Sequence, residues 1–172
     1  ILILALLTLI AAGVIYFFLA PKLPDTNTLK ETQLQIPLRI FSSEGLLMAE
    51  FGEKRRIPVE YNDIPKPLVE AFLAAEDDRF YQHPGVDYQG IIRAAYSLLL
   101  TGEKSQGGST ITMQVARNFF LSNEKTYLRK LNEIILALEI EKVLSKEEIL
   151  ALYLNKIYLG SRAYGVGAAA NI

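Results

Sequence analysis

The first twenty residues, Ile1 to Ala20, carry no charged side chain, and nothing else constrains the chain as strongly. As a helix they would cover about 30 Å, the thickness of a bilayer's hydrocarbon core. A cleaved signal peptide has a shorter apolar region, about 7–15 residues, with small side chains where it is cut. Here Tyr16-Phe17-Phe18-Leu19 is bulky at that point. A helix buried in a water-soluble core rarely lacks polar positions on every side. A retained transmembrane anchor over residues 1–20 meets neither objection, and Tyr16 to Phe18 suit a membrane–water interface. Pro21, Lys22, Pro24 and Asp25 end the run. The sequence opens inside the apolar run without an initiator Met, so the flank whose positive charge would report orientation is missing and orientation is not read from it.

The remaining residues suit one domain behind a short connection. Residues 21–60 read as a linker with a β-hairpin: Gln33 to Phe41 alternates polar and apolar positions, Ser42-Ser43-Glu44-Gly45 is turn-like, and Leu46 to Phe51 returns. Residues 61–172 are mainly α in pattern. Pro65 and Pro67 open a helix carrying Leu68, Val69, Phe72, Leu73 and Ala75. Asp87 caps a second, with Ile91, Ile92, Ala95, Leu98 and Leu99 on its apolar side. Residues 101–108, with three glycines, form a loop; Ser109 or Thr110 then caps a helix through Phe119. Ser122 is expected to cap the next, running to about Leu144 with Leu128, Leu131, Ile135 and Leu138 inward, and Ser145-Lys146-Glu147-Glu148 has capping-box spacing.

A net charge of −1 argues against general nucleic-acid binding, and the absence of cysteine decides nothing about compartment. Local charge is more telling, since residues 101–130 hold five basic side chains against two acidic ones, a balance of +3. Glu76 ends an apolar helix, where partial burial would raise its pKa towards that of a working base; it could equally be a surface carboxylate. Glu133 shares a helix face with Arg129 and Lys130. That trio is either an exposed ion-pair cluster of little consequence or a cationic site for phosphate oxygens. Gly107-Gly108-Ser109-Thr110 sets flexible backbone before a helix N-terminus able to receive an anion, with Gln114 and Arg117 one turn along. His83, the only histidine, is assigned to fixing the loop that ends at Pro84-Gly85; without a second histidine or a cysteine it makes a poor metal site. Ser122-Asn123-Glu124-Lys125 matches S-x-x-K, but no Ser-Asp-Asn or Lys-Thr-Gly follows, so the match is accidental.

Three ordered blocks, Ala75 to Gly85, Gly107 to Asn118 and Arg129 to Glu133, resemble the peptidoglycan glycosyltransferase (family 51) domain of class A penicillin-binding proteins and their monofunctional relatives. Tyr153 to Gly160 fits the same family, and the likeness runs from about Leu34 to the end. It implies a lysozyme-like helical fold, with Ala168 to Ile172 opening a further motif of a C-terminally truncated domain. It also implies Glu76 as catalytic base, Glu133 as the second essential carboxylate, and substrate contacts from Asp77, Ser109, Gln114, Arg117, Lys125, Arg129 and Lys130. Asp77 is further expected to orient its loop, and Met113 departs from the glutamine of many relatives. The implied reaction polymerises lipid II onto a lipid-linked glycan with inversion, releases undecaprenyl pyrophosphate, and is a target of moenomycin. The implied setting is the periplasmic side of the bacterial inner membrane, single-pass, with a transpeptidase domain beyond and no nucleic-acid partner. No cofactor is required by the sequence, and stimulation by a divalent cation (Mg or Mn) is left open. The alternatives are a lysozyme-like peptidoglycan hydrolase and a non-catalytic membrane-anchored adaptor.

Overall fold

The computed structural model describes Gly13 and residues 16–32, 34–52, 54–102, 108–122, 124 and 126–172. Most of the expected anchor lies outside them. Among the described residues no helix is long and apolar enough to cross a membrane. Residues 16–19 are helical and run into a 3-10 turn, Ala20–Lys22, with proline in its first turn. Tyr16 is tethered to a distant part of the sequence: its hydroxyl donates to Glu139 and accepts from Lys142 at 3.2 Å. A second 3-10 helix, Thr26–Glu31, is capped by Asp25 and buries Leu29 in the core.

Strands β1 (Leu38–Phe41) and β2 (Leu47–Phe51) pair antiparallel, Leu38 opposite Phe51, with an irregularity between Ile40 and Phe41. The hairpin expected from alternation is therefore present but shorter. Gln33 is outside the described residues, and residues 34–37 lie outside the ladder, which starts just after Pro37, a residue with no N–H to give. Gly45 turns the chain at φ +81°, and the Ser42 N–H closes the turn on Leu46 O at 2.8 Å.

Six helices follow. Helix α1 (Lys66–Glu76) starts at Pro65 and Pro67, as expected, and ends where the Asp77 N–H donates to Leu73 O at 2.9 Å. Helix α2 spans Tyr88–Thr101, with Asp87 accepting the Gly90 N–H at 3.0 Å. Of the two expected caps for α3 (Ile111–Phe120), Thr110 does the work, accepting from Met113 N at 3.2 Å. Helix α4 (Tyr127–Val143) corrects the expectation: its cap is Thr126, not Ser122, which precedes the helix by a turn. Helix α5 (Lys146–Lys156) carries the full capping box of Ser145 and Glu148, and α6 (Val166–Asn171) is short.

The core forms where α3 packs between α4 and α5. Ile111, Val115 and Ala116 meet Leu136 and Ile140 from one side and Ile149, Leu150 and Leu154 from the other. Two expected apolar faces do not join it. On α4 the buried residues begin only at Glu133; Leu128 and Leu131 are exposed because the first turns project past the core. On α2, Ile92 and Leu99 are exposed and Ile91 largely so, since α2 takes no part in the packing pairs that hold α3, α4 and α5. The side chains of Ala95 and Leu98 are outside the description. Ile135 is buried as expected and Leu138 is half-buried.

Candidate active site

A cleft of about 310 Å³ opens where the end of α1, the start of α2 and the segment before α3 converge, lined by Glu76, Asp77, Asp87, Arg93, Ser109 and Thr110. Glu76, the last residue of α1, faces this cleft. It is exposed, so the partial burial expected for it is absent: the buried side of α1 stops short of its final turn. Its Oε2 accepts from Gln114 Nε2 at 2.9 Å, which ties it to α3. Arg117, one turn beyond Gln114, is half-buried and takes part in no ion pair among the described residues.

Asp77 points the other way. It is buried, and both oxygens are engaged: Oδ1 with His83 Nε2 at 2.9 Å and Oδ2 with the Ile111 N–H at 3.0 Å. The carboxylate therefore receives a free N–H of the α3 N-terminus, the kind of group a helix start favours. His83 is also buried, its carbonyl accepts from Lys146 Nζ at 2.7 Å, and the loop is clamped again by Thr110 Oγ1 donating to Gly85 O at 2.5 Å. At Gly85, φ is +89° and a Cβ would lie 2.7 Å from Ala137 O, so the loop sits directly on α4. The loop-fixing position expected for His83 matches this geometry.

Glu133 is 2% exposed, on the inward face of α4, and neutralised by two cations. Arg129 Nη1 donates to Oε1, and Lys130 Nζ donates to Oε2 at 3.1 Å. The same ammonium donates to Ser109 Oγ at 2.6 Å, joining the cluster to a residue that lines the cleft. Burial first, then Arg117 and Arg129 nearby, lower the pKa of Lys130. Arg129 also donates through Nε to Glu124 O. The exposed-cluster reading of Arg129, Lys130 and Glu133 therefore fails on burial. Lys125 lies outside the described residues, as does Gly107.

Three features escaped sequence reasoning. Arg79 grips Asp87 through Nη2 at 2.5 and 2.6 Å, bracing the cleft wall; the two are eight residues apart in a loop, so no periodicity links them. Glu141 accepts from Thr112 at 2.6 Å and Lys146 at 2.7 Å beneath the loop. Tyr153 sits within electrostatic reach of both Glu76 and Arg117: burial and then Glu76 push its pKa up to about 12, with Arg117 opposing. Its apolar helix spacing hid that role. No group of three or more Asp, Glu or His side chains is placed to hold a metal ion among the described residues.

A transglycosylase family model matches residues 44–172. Penicillin-binding protein 1A of Escherichia coli is 59% identical over 167 residues, covering 95% of this chain and 20% of that protein. The protein of the same name from Vibrio cholerae is 59% identical over 155 residues, 90% of this chain and 19% of its own length. That from Pseudomonas aeruginosa is 55% identical over 157 residues, 91% of this chain and 19% of its own. The chain thus spans about a fifth of the length of these relatives. With three quarters of its residues under the family model and relatives this similar along almost all of it, the chain belongs to the transglycosylase family.

Proposed function

We propose that the chain is the peptidoglycan glycosyltransferase part of a class A penicillin-binding protein, joining lipid II to a lipid-linked glycan strand during cell-wall synthesis. Residues 1–20 would anchor it in the bacterial inner membrane, 21–60 link, and 61–172 carry the lysozyme-like catalytic fold on the periplasmic side. Similarity to the three penicillin-binding proteins supports this reading. The exposed apolar side chains of α2, Ile92, Leu99 and Leu100, support a place beside lipid.

The observation that carries the chemistry is the contrast between two carboxylates. Glu76 is open to the cleft and oriented by one hydrogen bond from Gln114. Glu133 is buried with each oxygen on a cation. Glu76 then takes the proton of the acceptor's sugar hydroxyl, whose oxygen attacks the donor's anomeric carbon from the face opposite the leaving group, with inversion. The bond to undecaprenyl pyrophosphate breaks, and its oxygens are met by Arg117, Arg129, Lys130 and Lys125. Glu133 holds two of those cations in place, Asp77 acts by fixing the loop, and Ser109 shares the Lys130 ammonium with the leaving group.

A hydrolase working like lysozyme needs a second carboxylic acid that stays protonated and reaches the departing oxygen. Glu133, ion-paired on both oxygens, does not offer one. Polymerisation of labelled lipid II by the full-length protein in detergent tests the assignment. Glu76→Gln should lower the rate by about 10²–10⁴-fold, the usual contribution of a general base. Polymer at the wild-type rate refutes Glu76 as the base, and soluble fragments released from preformed glycan would favour the hydrolase.

A further inference from the structure

Away from the cleft, a second cavity of about 350 Å³ opens where the segment after the apolar run crosses the far end of α3. Thr28, Gln35, Phe119 and three cations, Lys54, Arg56 and Lys156, line it. None of the three is ion-paired among the described residues; the neighbouring Arg55 takes Glu50 instead, at 3.9 Å. They lie against aromatic rings, Lys54 and Arg56 at 5.4 and 5.7 Å from the Tyr164 centroid and Lys156 at 4.4 Å from that of Phe119. Arg56 is 4% exposed; its Nη1 donates to Gln35 O at 2.8 Å, while its buried Nε has no acceptor. Burial, then Arg56 and Lys54, lower the pKa of Lys156, so its ammonium stands among like charges.

Ring faces attract a cation without neutralising it, and the buried charge of Arg56, between exposed Lys54 and half-buried Lys156, is kept at a cost unless a counter-ion arrives. We propose that this cavity binds the phosphate group of an anionic ligand, either a lipid headgroup or a soluble phosphate. Its oxygens can accept from a guanidinium fork and an ammonium together, a geometry that arginine favours. The lipid source rests on the proposed anchor over residues 1–20: Thr28 stands only eight residues after Ala20, so the chain between them is shorter than roughly 29 Å. The site does not depend on the catalytic assignment.

The test is thermal unfolding of the full-length protein in neutral detergent. Sodium phosphate is titrated against sodium chloride at matched ionic strength, and phosphatidylglycerol against phosphatidylcholine in the micelles. A ligand that binds only the folded state raises the midpoint in step with its concentration over Kd. The midpoint should rise saturably in the wild type and in Arg117→Ala, which leaves this cavity intact. The rise should be lost in Lys54→Ala/Lys156→Ala and in Lys156→Gln alone, the milder change. Without anion these variants should fold and polymerise lipid II normally, with a midpoint slightly below wild type because each lost cation leaves a ring face. A response to phosphatidylglycerol alone identifies a headgroup; a response to inorganic phosphate as well shows that the phosphate suffices. No response, or an equal one in the Lys54 and Lys156 variants, overturns the proposal.

Discussion

Replacing Glu133 by glutamine separates two roles for that carboxylate. The side chain is 2% exposed, and its charge is shared between Arg129, 17% exposed, and Lys130, 38% exposed. Removing one member of a buried ion pair costs about 3–5 kcal/mol because the partner stays buried without compensation. Lys130 is open enough for water to screen part of that loss, so about 2–3 kcal/mol is expected here. The amide keeps the volume of the carboxylate, but its NH₂ now faces one of the two cations. At about 2–4 °C per kcal/mol for a chain of this size, the midpoint should fall by roughly 5–10 °C. Transferase activity should fall by about 10², the scale of losing aligned charge stabilisation. The Lys130 pKa, already lowered by burial, Arg117 and Arg129, drops further without its counter-ion, so the alkaline limb of the pH–rate profile should move to lower pH. Circular dichroism during heating and lipid II polymerisation from neutral to alkaline pH read all three effects. An unchanged midpoint with lost activity would refute the anchoring role and place Glu133 in direct contact with the reacting groups.

Asp87→Asn keeps the cap of α2 but loses the ion pair with Arg79, at about 1 kcal/mol for a pair with this much burial. Burial raises the Asp87 pKa, but the Gly90 N–H and Arg79 outweigh it and hold it below the ordinary 3.8. Its stabilisation is complete above that value and lost as pH falls through the lower folded pKa, so the gap between variant and wild type should close in acid unfolding below about pH 3.8. Gly85→Ala forces a Cβ to 2.7 Å from Ala137 O at a φ of +89°; a loss of at least about 2 kcal/mol in urea unfolding is expected, and wild-type stability would contradict the seating of the loop on α4.

Local signals in the sequence carried the helix starts well, because a cap involves residues within one turn. Thr110, Asp87 and the Ser145–Glu148 box behave as their spacing predicts. What the spacing could not convey was which apolar face meets another element. Ile92 and Leu99 show the same periodicity as core residues, yet α2 stands outside the main packing. The same blindness applies to charge. An Arg129-Lys130-Glu133 pattern is identical whether solvated or buried, and the decision came from the burial of Glu133, with Lys130 donating to Ser109, 21 residues upstream. Ser122 was a plausible cap with nothing local to reject it, and only the structure sets the start at Thr126.

The arrangement of Asp77 explains why adjacent acidic residues can do opposite work. At the end of α1 the chain leaves the helix, so Glu76 and Asp77 project in different directions from neighbouring backbone. One is left in the cleft, and the other is drawn inward by His83 and the first amide of α3. That second contact fixes the end of α1 against the helix that also supplies Gln114 to Glu76. The position of the proposed base is therefore set by its neighbour rather than by its own single hydrogen bond. An Asp77→Asn variant, which keeps the size but weakens the bonds to His83 and Ile111, should lower kcat through a displaced Glu76 while leaving KM nearly unchanged. If KM rose and kcat held, Asp77 would be a substrate contact and the inward orientation would be irrelevant to the chemistry.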